Sequence, residues 1–424
     1  MHNLHRYLYS LTLYLLTPIF ILRLLWRSYN TPGYRHRISE RFGYLSKLPP
    51  QHGIWVHAVS FGEVQAAIPL LKQILTIYPQ LPLVVTTTTP SGSQRLLETL
   101  GSQVYHCYAP YDVPWAVRRF LSQVQPSYVI IMETEIWPNI LYQCHYQHIP
   151  VLLANARLSA KSAHGYAKLQ ALTQATLGYF TKIAAQTSED AQRFVQLGAN
   201  TNNIEITCNI KFDLSLDPDI GSQAATIRQL WGKNRPIWIA ASTHAGEEEQ
   251  VLDAHQQILS VLPNTLLVLV PRHIERCTKI ASLITARGWN VTLRSQATPC
   301  AADTKVFLGD SMGELIRFFA AADVALIGGS LIPHGGHNLL EPAAVGIPAI
   351  TGPYVMNFKE ITQMMVAANA AVQVTSVAEL VTVVINWLQN QDLRNQIGTN
   401  GRLLVERNRG ALAKLLQIIN SLIK

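Results

Sequence analysis

No two of the five cysteines (Cys107, Cys144, Cys208, Cys277 and Cys300) stand at a short spacing, and their number is odd. That excludes a disulfide framework and a cysteine-based zinc or redox motif, and it fits reduced thiols in a cytoplasmic compartment. Charge is scarce as well: 14% of residues are charged against 48% apolar, a balance poor in charge for a soluble protein and suited to membrane contact. There is no Walker lysine loop, no G-x-S-x-G elbow and no H-E-x-x-H pair, so those three routes to phosphoryl transfer, acyl transfer and zinc hydrolysis have no motif behind them. No fixed short repeat and no low-complexity tract interrupts the chain.

The charge that is present is unevenly placed. The formal net charge is +8, and the first fifty residues carry Arg6, Arg23, Arg27, Arg35, Arg37, Arg41 and Lys47 against Glu40 alone. A basic cluster beside an apolar stretch suits an anionic membrane surface. Nucleic acid is the other partner of such clusters, but no aromatic-basic strand pattern accompanies this one, so none is expected. The apolar stretch is Leu8–Leu22, interrupted by Pro18 and followed by Arg23. It is slightly short of the roughly 20 residues that span a bilayer, and no small-x-small cleavage site follows it. A signal anchor, a helix lying in the interface and a buried amphipathic helix all remain open. A spanning helix would leave the remainder in the cytoplasm by the positive-inside rule.

From about residue 53, short β-rich runs alternate with helical stretches: Ile54–Ser60, Leu83–Thr89, Val104–Ala109, Tyr128–Thr134, Val151–Ala156 and Lys182–Thr187. After a linker-like Leu214–Ser222 the pattern restarts with Ile237–Ser242, Leu266–Val270, Val306–Leu308, Val324–Gly328 and Ala349–Thr351. Near-continuous apolar strands alternating with helices indicate parallel sheets covered on both faces. The expected fold is α/β, with two doubly wound Rossmann-like domains. The expected division is an N-terminal anchor or interfacial helix over 1–30, a first domain over 31–215, a second over 216–390 and terminal helices over 391–424.

Ligands of open α/β sheets sit beyond the carboxyl ends of the strands, and seven segments with chemistry lie there. In His57-Ala-Val-Ser-Phe-Gly-Glu63, Glu63 is as readily a helix-capping acid as a general base. Met132-Glu-Thr-Glu-Ile-Trp-Pro-Asn139 ends an apolar strand with Glu133 and Glu135, acids that are costly there unless paired or used. Lys211, in Asn209-Ile-Lys-Phe-Asp213, offers a point charge to an anion or is plain surface. In Ala241-Ser-Thr-His-Ala-Gly-Glu-Glu-Glu249, capping by Ser242 or Thr243 explains most of the composition. Val270-Pro-Arg-His273 places Arg272 for a phosphate or a base, and Gly309-Asp-Ser-Met-Gly-Glu-Leu315 offers N–H groups at a helix start. The longest is Gly328-Gly-Ser-Leu-Ile-Pro-His-Gly-Gly-His-Asn-Leu-Leu-Glu-Pro342, whose glycines let a ligand approach the backbone. There Asn338 opens a helix, and Glu341 is suited to accept from ribose hydroxyls. His334 and His337 invite a metal reading, but no third ligand is apparent, and no metal or cofactor is expected.

These segments, in this order and spacing, resemble the bacterial Kdo (3-deoxy-D-manno-octulosonic acid) transferases. The resemblance runs from Gly33-Tyr-Arg-His-Arg-Ile-Ser-Glu-Arg-Phe-Gly43 through Gly352-Pro-Tyr-Val-Met-Asn-Phe358. It implies the two-Rossmann GT-B arrangement, with the domains facing a cleft, and an inverting, metal-independent transfer. The implied donor is CMP-Kdo and the acceptor the 6′-hydroxyl of a tetra-acylated lipid A precursor, at the cytoplasmic side of the inner membrane. It also implies Glu63 as proton acceptor, and Glu133 and Lys211 as transition-state stabilisers. The implied CMP-binding positions are Pro271, Arg272, Met312, Gly313, Glu314, Asn338, Leu339, Leu340 and Glu341. Phe61, Lys161, Ala241 and Tyr354 depart from the family's commoner residues. A UDP-sugar transferase or a sugar-nucleotide epimerase on the same scaffold is the alternative enzyme, and a non-catalytic lipid- or sugar-binding protein the alternative without chemistry.

Overall fold

Apolar strands that alternate with helices do assemble as two parallel sheets. The computed structural model describes residues His2–Ile423, in two compact units: Met1–Asp213 with Gly410–Lys424, and Leu214–Arg409. The first unit holds β1 (Ile54–His57), β2 (Leu83–Thr87), β3 (Tyr105–Tyr108), β4 (Tyr128–Met132), β5 (Val151–Ala156), β6 (Lys182–Ala185) and β7 (Ile204–Ile206). They are ordered β3-β2-β1-β4-β5-β6-β7. The second holds β8 (Ile237–Thr243), β9 (Leu266–Pro271), β10 (Asn290–Leu293), β11 (Thr304–Leu308), β12 (Val324–Ile327), β13 (Ala349–Thr351) and β14 (Ala371–Gln373). Their order is β10-β11-β9-β8-β12-β13-β14.

Both faces of each sheet are covered, which is why the central strands read as unbroken apolar runs. In β1, Ile54 and Val56 join one core with Val64, Ile68 and Leu71 of the following helix, α2 (Phe61–Ile77). Trp55, pointing the other way as a strand's period of two requires, packs with Phe120 and Leu121. Three strands escape the sequence reading: β7, β10 and β14. Each is an edge or near-surface strand with exposed or half-exposed residues, so no continuous apolar run marks it. The last three residues of the linker-like segment already belong to a helix, Ile220–Trp231.

The terminal segment divides between the units. The helix Gln391–Asn408 stays with the second, whereas Ala411–Ile423 returns to the first. There Ala411, Leu415, Ile418 and Ile419 enter the core around Ile54. Asp213 holds the start of that helix, its carboxylate accepting from Gly410 N (2.6 Å) and Leu412 N (2.5 Å).

The N-terminal residues His2–Asn30 form one helix, α1, through Pro18. One side docks on the first unit. Arg6 Nη1 and Ser10 Oγ reach Asn139 Oδ1 (3.3 and 3.0 Å), Tyr9 donates to Asp112 (3.0 Å), and Phe20 stacks on Tyr111. Leu24 and Ser28 are buried, while Leu4, Leu8, Leu11, Leu15, Ile19, Leu22 and Trp26 are exposed. Leu4–Tyr29 is long and apolar enough to cross a membrane.

Truncating a fully buried leucine leaves a cavity costing about 2–5 kcal/mol. Leu415→Ala should therefore lower the unfolding midpoint of the first unit by several degrees, although residue 415 lies some two hundred positions beyond that unit's main segment, which ends at Asp213. Thermal unfolding followed by near-UV circular dichroism checks this, and an unchanged midpoint would show that the terminal helix does not complete that core.

Candidate active site

In each sheet the strand order reverses once next to the first strand, between β1 and β4 and between β8 and β12. The crevice beyond such a reversal is where doubly wound folds bind ligands. The strands flanking the first reversal deliver Glu63 on one side and Glu133 and Glu135 on the other.

Glu63 is 7% exposed at the start of α2. Ser60 Oγ accepts from Glu63 N (3.2 Å), and the Glu63 carboxylate accepts from Val59 N (2.8 Å) and Ser60 Oγ (2.9 Å). That is a reciprocal cap, so the capping reading is realised. It does not make the acid ordinary. Burial, and then the charges of Glu135 and Glu133, push its pKa up to about 8 against the pull of those hydrogen bonds. A carboxyl poised near neutrality is what a general base requires.

Glu133 sits just past β4 at φ +55°, a left-handed conformation that non-glycine residues rarely adopt and that is retained where the surroundings impose it. Its carboxylate meets Arg157 (3.1 Å) and Lys211 (3.8 Å). Lys211, isolated in sequence, is thus brought to the acid it was grouped with. Asn155, in the bulged end of β5 at φ +52°, accepts from Ile210 N (3.0 Å), and Asn209 Oδ1 accepts from Lys211 N (3.0 Å). These bonds aim the turn that carries Lys211. Arg157 and Asn155 were not singled out from the sequence, although a basic residue directly after a buried strand was a signal to be had. Glu135 accepts from Trp137 Nε1 (2.6 Å), and burial raises its pKa.

In the second unit Pro271 closes β9, and the N–H of Arg272 donates to Thr243 O (2.9 Å), leaving the side chain exposed. Met312 is 77% exposed and Gly313 has φ +79°. Glu314 is bound by Arg294 through two bonds (3.0 and 2.9 Å), so its carboxylate organises the loop. Leu339 and Leu340 are buried in the core and offer a ligand backbone only. Asn338 donates to Glu341 (3.2 Å) and accepts from Leu340 N (3.1 Å). Burial raises the pKa of Glu341, with Asn338 and the charge of Arg272 opposing.

One expectation is corrected here. Neither Ser242 nor Thr243 caps the helix Glu247–Val261: its N-cap is Gly246 at φ +91°, because Ser242 at φ +58° bulges out of register. Glu247 is wholly buried and accepts four backbone bonds, from His244 (3.0 Å), Gly329 (2.6 Å), Ser330 (3.0 Å) and Leu331 (2.9 Å). It ties the β8 loop to the β12 loop across the reversal. That tie brings a third imidazole, His244, to His334 and His337. His244 Nε2 lies 2.8 Å from His337 Nε2, and its ring centroid is 3.7 Å from that of His334. Burial lowers the pKa of His244 to about 4 and of His337 to about 3, so both are neutral at pH 7.

Two doubly wound units, each with polar groups gathered at its reversal, define the two-Rossmann class of fold. The family model described as 3-Deoxy-D-manno-octulosonic-acid transferase (kdotransferase) matches residues 36–214, and that of Glycosyl transferases group 1 matches residues 279–404. The 3-deoxy-D-manno-octulosonic acid transferase of Haemophilus influenzae is 42% identical over 98% of both chains. The enzyme of the same name from Bordetella pertussis is 33% identical, again over 98% of both. The UDP-GlcNAc 2-epimerase of Neisseria meningitidis, solved bound to UDP-GlcNAc, matches 88% of this chain and 99% of its own, with a TM-score of 0.53 at 13% identity, a likeness of fold alone. The chain belongs to the Kdo transferase family and is a glycosyltransferase.

Replacing a buried carboxylate that takes four N–H bonds by an amide sets an NH2 group against backbone donors. With bonds to charged groups contributing about 1.5–3 kcal/mol each, Glu247→Gln should destabilise the second unit by about 3 kcal/mol or more, read as a shift in its urea midpoint. A neutral substitution would mean that the two loops are held by other contacts.

Proposed function

We propose that this chain transfers Kdo from CMP-Kdo to the 6′-hydroxyl of a tetra-acylated lipid A precursor, with inversion at the anomeric carbon. The observation that carries the reading is the setting of Glu63: a buried carboxyl at the β1–β4 reversal, raised towards neutrality, near the acid Glu133 that Lys211 and Arg157 attend. In the proposed step Glu63 takes the proton of the acceptor hydroxyl as its oxygen bonds to the anomeric carbon. The bond from that carbon to the CMP phosphate breaks, and CMP leaves with the electron pair. A single displacement of this kind inverts the centre. Glu133 and Lys211 are assigned to stabilising the charge that develops in the transition state.

In the second unit the exposed Arg272 suits the phosphate, as a planar and always charged donor. Glu341, with Asn338 bonded to it, suits the ribose hydroxyls. Met312 and Gly313 present backbone at an exposed turn, and Pro271, Glu314, Leu339 and Leu340 shape the segments that carry these groups. An amphiphilic acceptor accords with a cavity of about 370 Å³ lined by Tyr9, Glu135, Trp137, Tyr166, Leu169 and Leu172. It is mostly apolar, borders α1 and has Glu135 in its wall, and it is large enough for part of a lipid rather than all of it. Helix α1 is read as lying in the membrane interface, because one side is docked on the first unit along much of its length while an apolar stripe remains exposed. Burial of that stripe and attraction of the nearby arginines to anionic headgroups would hold the enzyme at the membrane. The cytoplasmic face of the inner membrane is the proposed location.

Glu63→Gln should lower kcat by a factor of about 100–10,000, the usual contribution of a general base, while CMP affinity measured by calorimetry stays within twofold. Near-normal turnover would remove Glu63 from the proton transfer. The base must be ionised, so kcat/KM should climb with pH and level off above about 8, the value to which Glu63 is raised. Glu135→Gln takes away the like charge that acts more strongly on Glu63 and should move that inflection to lower pH. An inflection that stays in place would mean that another group titrates.

A further inference from the structure

We propose that His244, His334 and His337 form a binding site for one borderline divalent transition-metal ion, of the zinc and cobalt class. Their candidate ligand atoms all lie within 4.8 Å of one another. Three imidazoles with a vacant fourth position are a donor set that suits these metals. Nitrogen donors without a carboxylate disfavour the harder magnesium and calcium ions. Two acids of the same turn are committed elsewhere: Glu247 to four backbone N–H groups, and Glu248 to Arg276 (3.0 Å) and Thr243 (3.3 Å).

The scaffold is built before any ion arrives. Glu247 fixes the backbones of both loops that carry the histidines. Gly336 N donates to Gly329 O (2.7 Å) and Asn357 N to Gly335 O (2.9 Å), which pin the loop on either side of His337. A Cβ on Gly329 would come 3.0 Å from the His337 ring, and Gly329 has φ +66°, so only glycine lets that ring sit where it does. Nε2 of His244 and Nε2 of His337 are 2.8 Å apart, within hydrogen-bond distance. Two nitrogens on a tetrahedral zinc stand about 3.4 Å apart, given Zn–N bonds near 2.0–2.1 Å. Placing an ion between the two nitrogens therefore asks for an opening of about half an ångström. The exposed His334, followed by Gly335 (φ +112°) and Gly336 (φ +76°), supplies the adjustable third donor.

The charge around the cluster decides what the fourth position holds. Arg272 is near enough to act on both His244 and His337, and a bare dication beside a guanidinium is disfavoured. The site therefore suits a metal that keeps an anionic fourth ligand, such as hydroxide, chloride or a phosphate oxygen.

The test uses the full chain without a polyhistidine tag, purified in detergent, stripped with EDTA and titrated with Co2+. The expected result is one equivalent of Co2+ per chain with the visible d–d bands of a nitrogen-ligated, low-coordinate ion, displaced by Zn2+. Affinity should fall at least tenfold in His337→Ala and in His334→Ala, and remain unchanged in the control His164→Ala. His334 is exposed, so its variant folds even if truncation of the more buried His337 does not. No bands at micromolar Co2+, or bands that survive His334→Ala, would overturn the proposal.

Discussion

A carboxylate leaves water at a large cost unless hydrogen-bond donors replace the solvent, and this protein places one beside each strand-order reversal. The two solutions differ. Glu247 receives four backbone N–H groups, a set that leaves its charge fully solvated by the fold and turns the side chain into a strut between two loops. Glu63 receives one backbone and one hydroxyl donor and has two like charges for neighbours. The first acid is spent on structure. The second is left under-compensated, and its proton becomes available to chemistry at ordinary pH.

How far this was legible in the sequence follows from the range of the interactions. The central strands were readable because burial on both faces forces an apolar run, as in Tyr128–Met132. The edge strands β7, β10 and β14 were not, because an edge has polar surroundings on one side. Motifs placed just after strands marked Glu63, Glu133 and Arg272, since topology alone sends those positions to the carboxyl end of the sheet. Lys211 was grouped with Glu133 only through the family resemblance, and contacts between distant segments were invisible to the residue pattern: Arg157 on Glu133 and His244 against His337. So was the return of Ala411–Ile423 to the first unit, which depends on Asp213 waiting at its start rather than on the pattern within the helix.

Local rules also gave a wrong detail where the backbone departs from them. Ser242 and Thr243 look like helix caps because hydroxyls ahead of a run of glutamates usually are. A bulge in β8 carries them past the cap position and hands it to Gly246 at φ +91°. The same bulge turns His244 towards the β12 loop, so the misread cap and the unforeseen histidine cluster have one cause.

Helix α1 shows how an apolar sequence can be docked without being buried. Its contacts with the first unit run largely through polar or aromatic side chains, Arg6, Tyr9, Ser10 and Phe20, towards Asn139, Asp112 and Tyr111, with Leu24 the apolar exception. Asn139 and Asp112 belong to the same knot: the Asp112 carboxylate accepts from the N–H groups of Asn139 (2.9 Å) and Ile140 (2.7 Å) at the start of the helix that follows Glu133 and Glu135. A shift of α1 would therefore be felt at the segment carrying those glutamates. On the proposed reading, the surface that meets the lipid and the acids that attend the reaction share one rigid hydrogen-bonded joint. The lipid-facing stripe can then be greasy without the helix being loose, because polar bonds to the protein, rather than burial of that stripe, set its position.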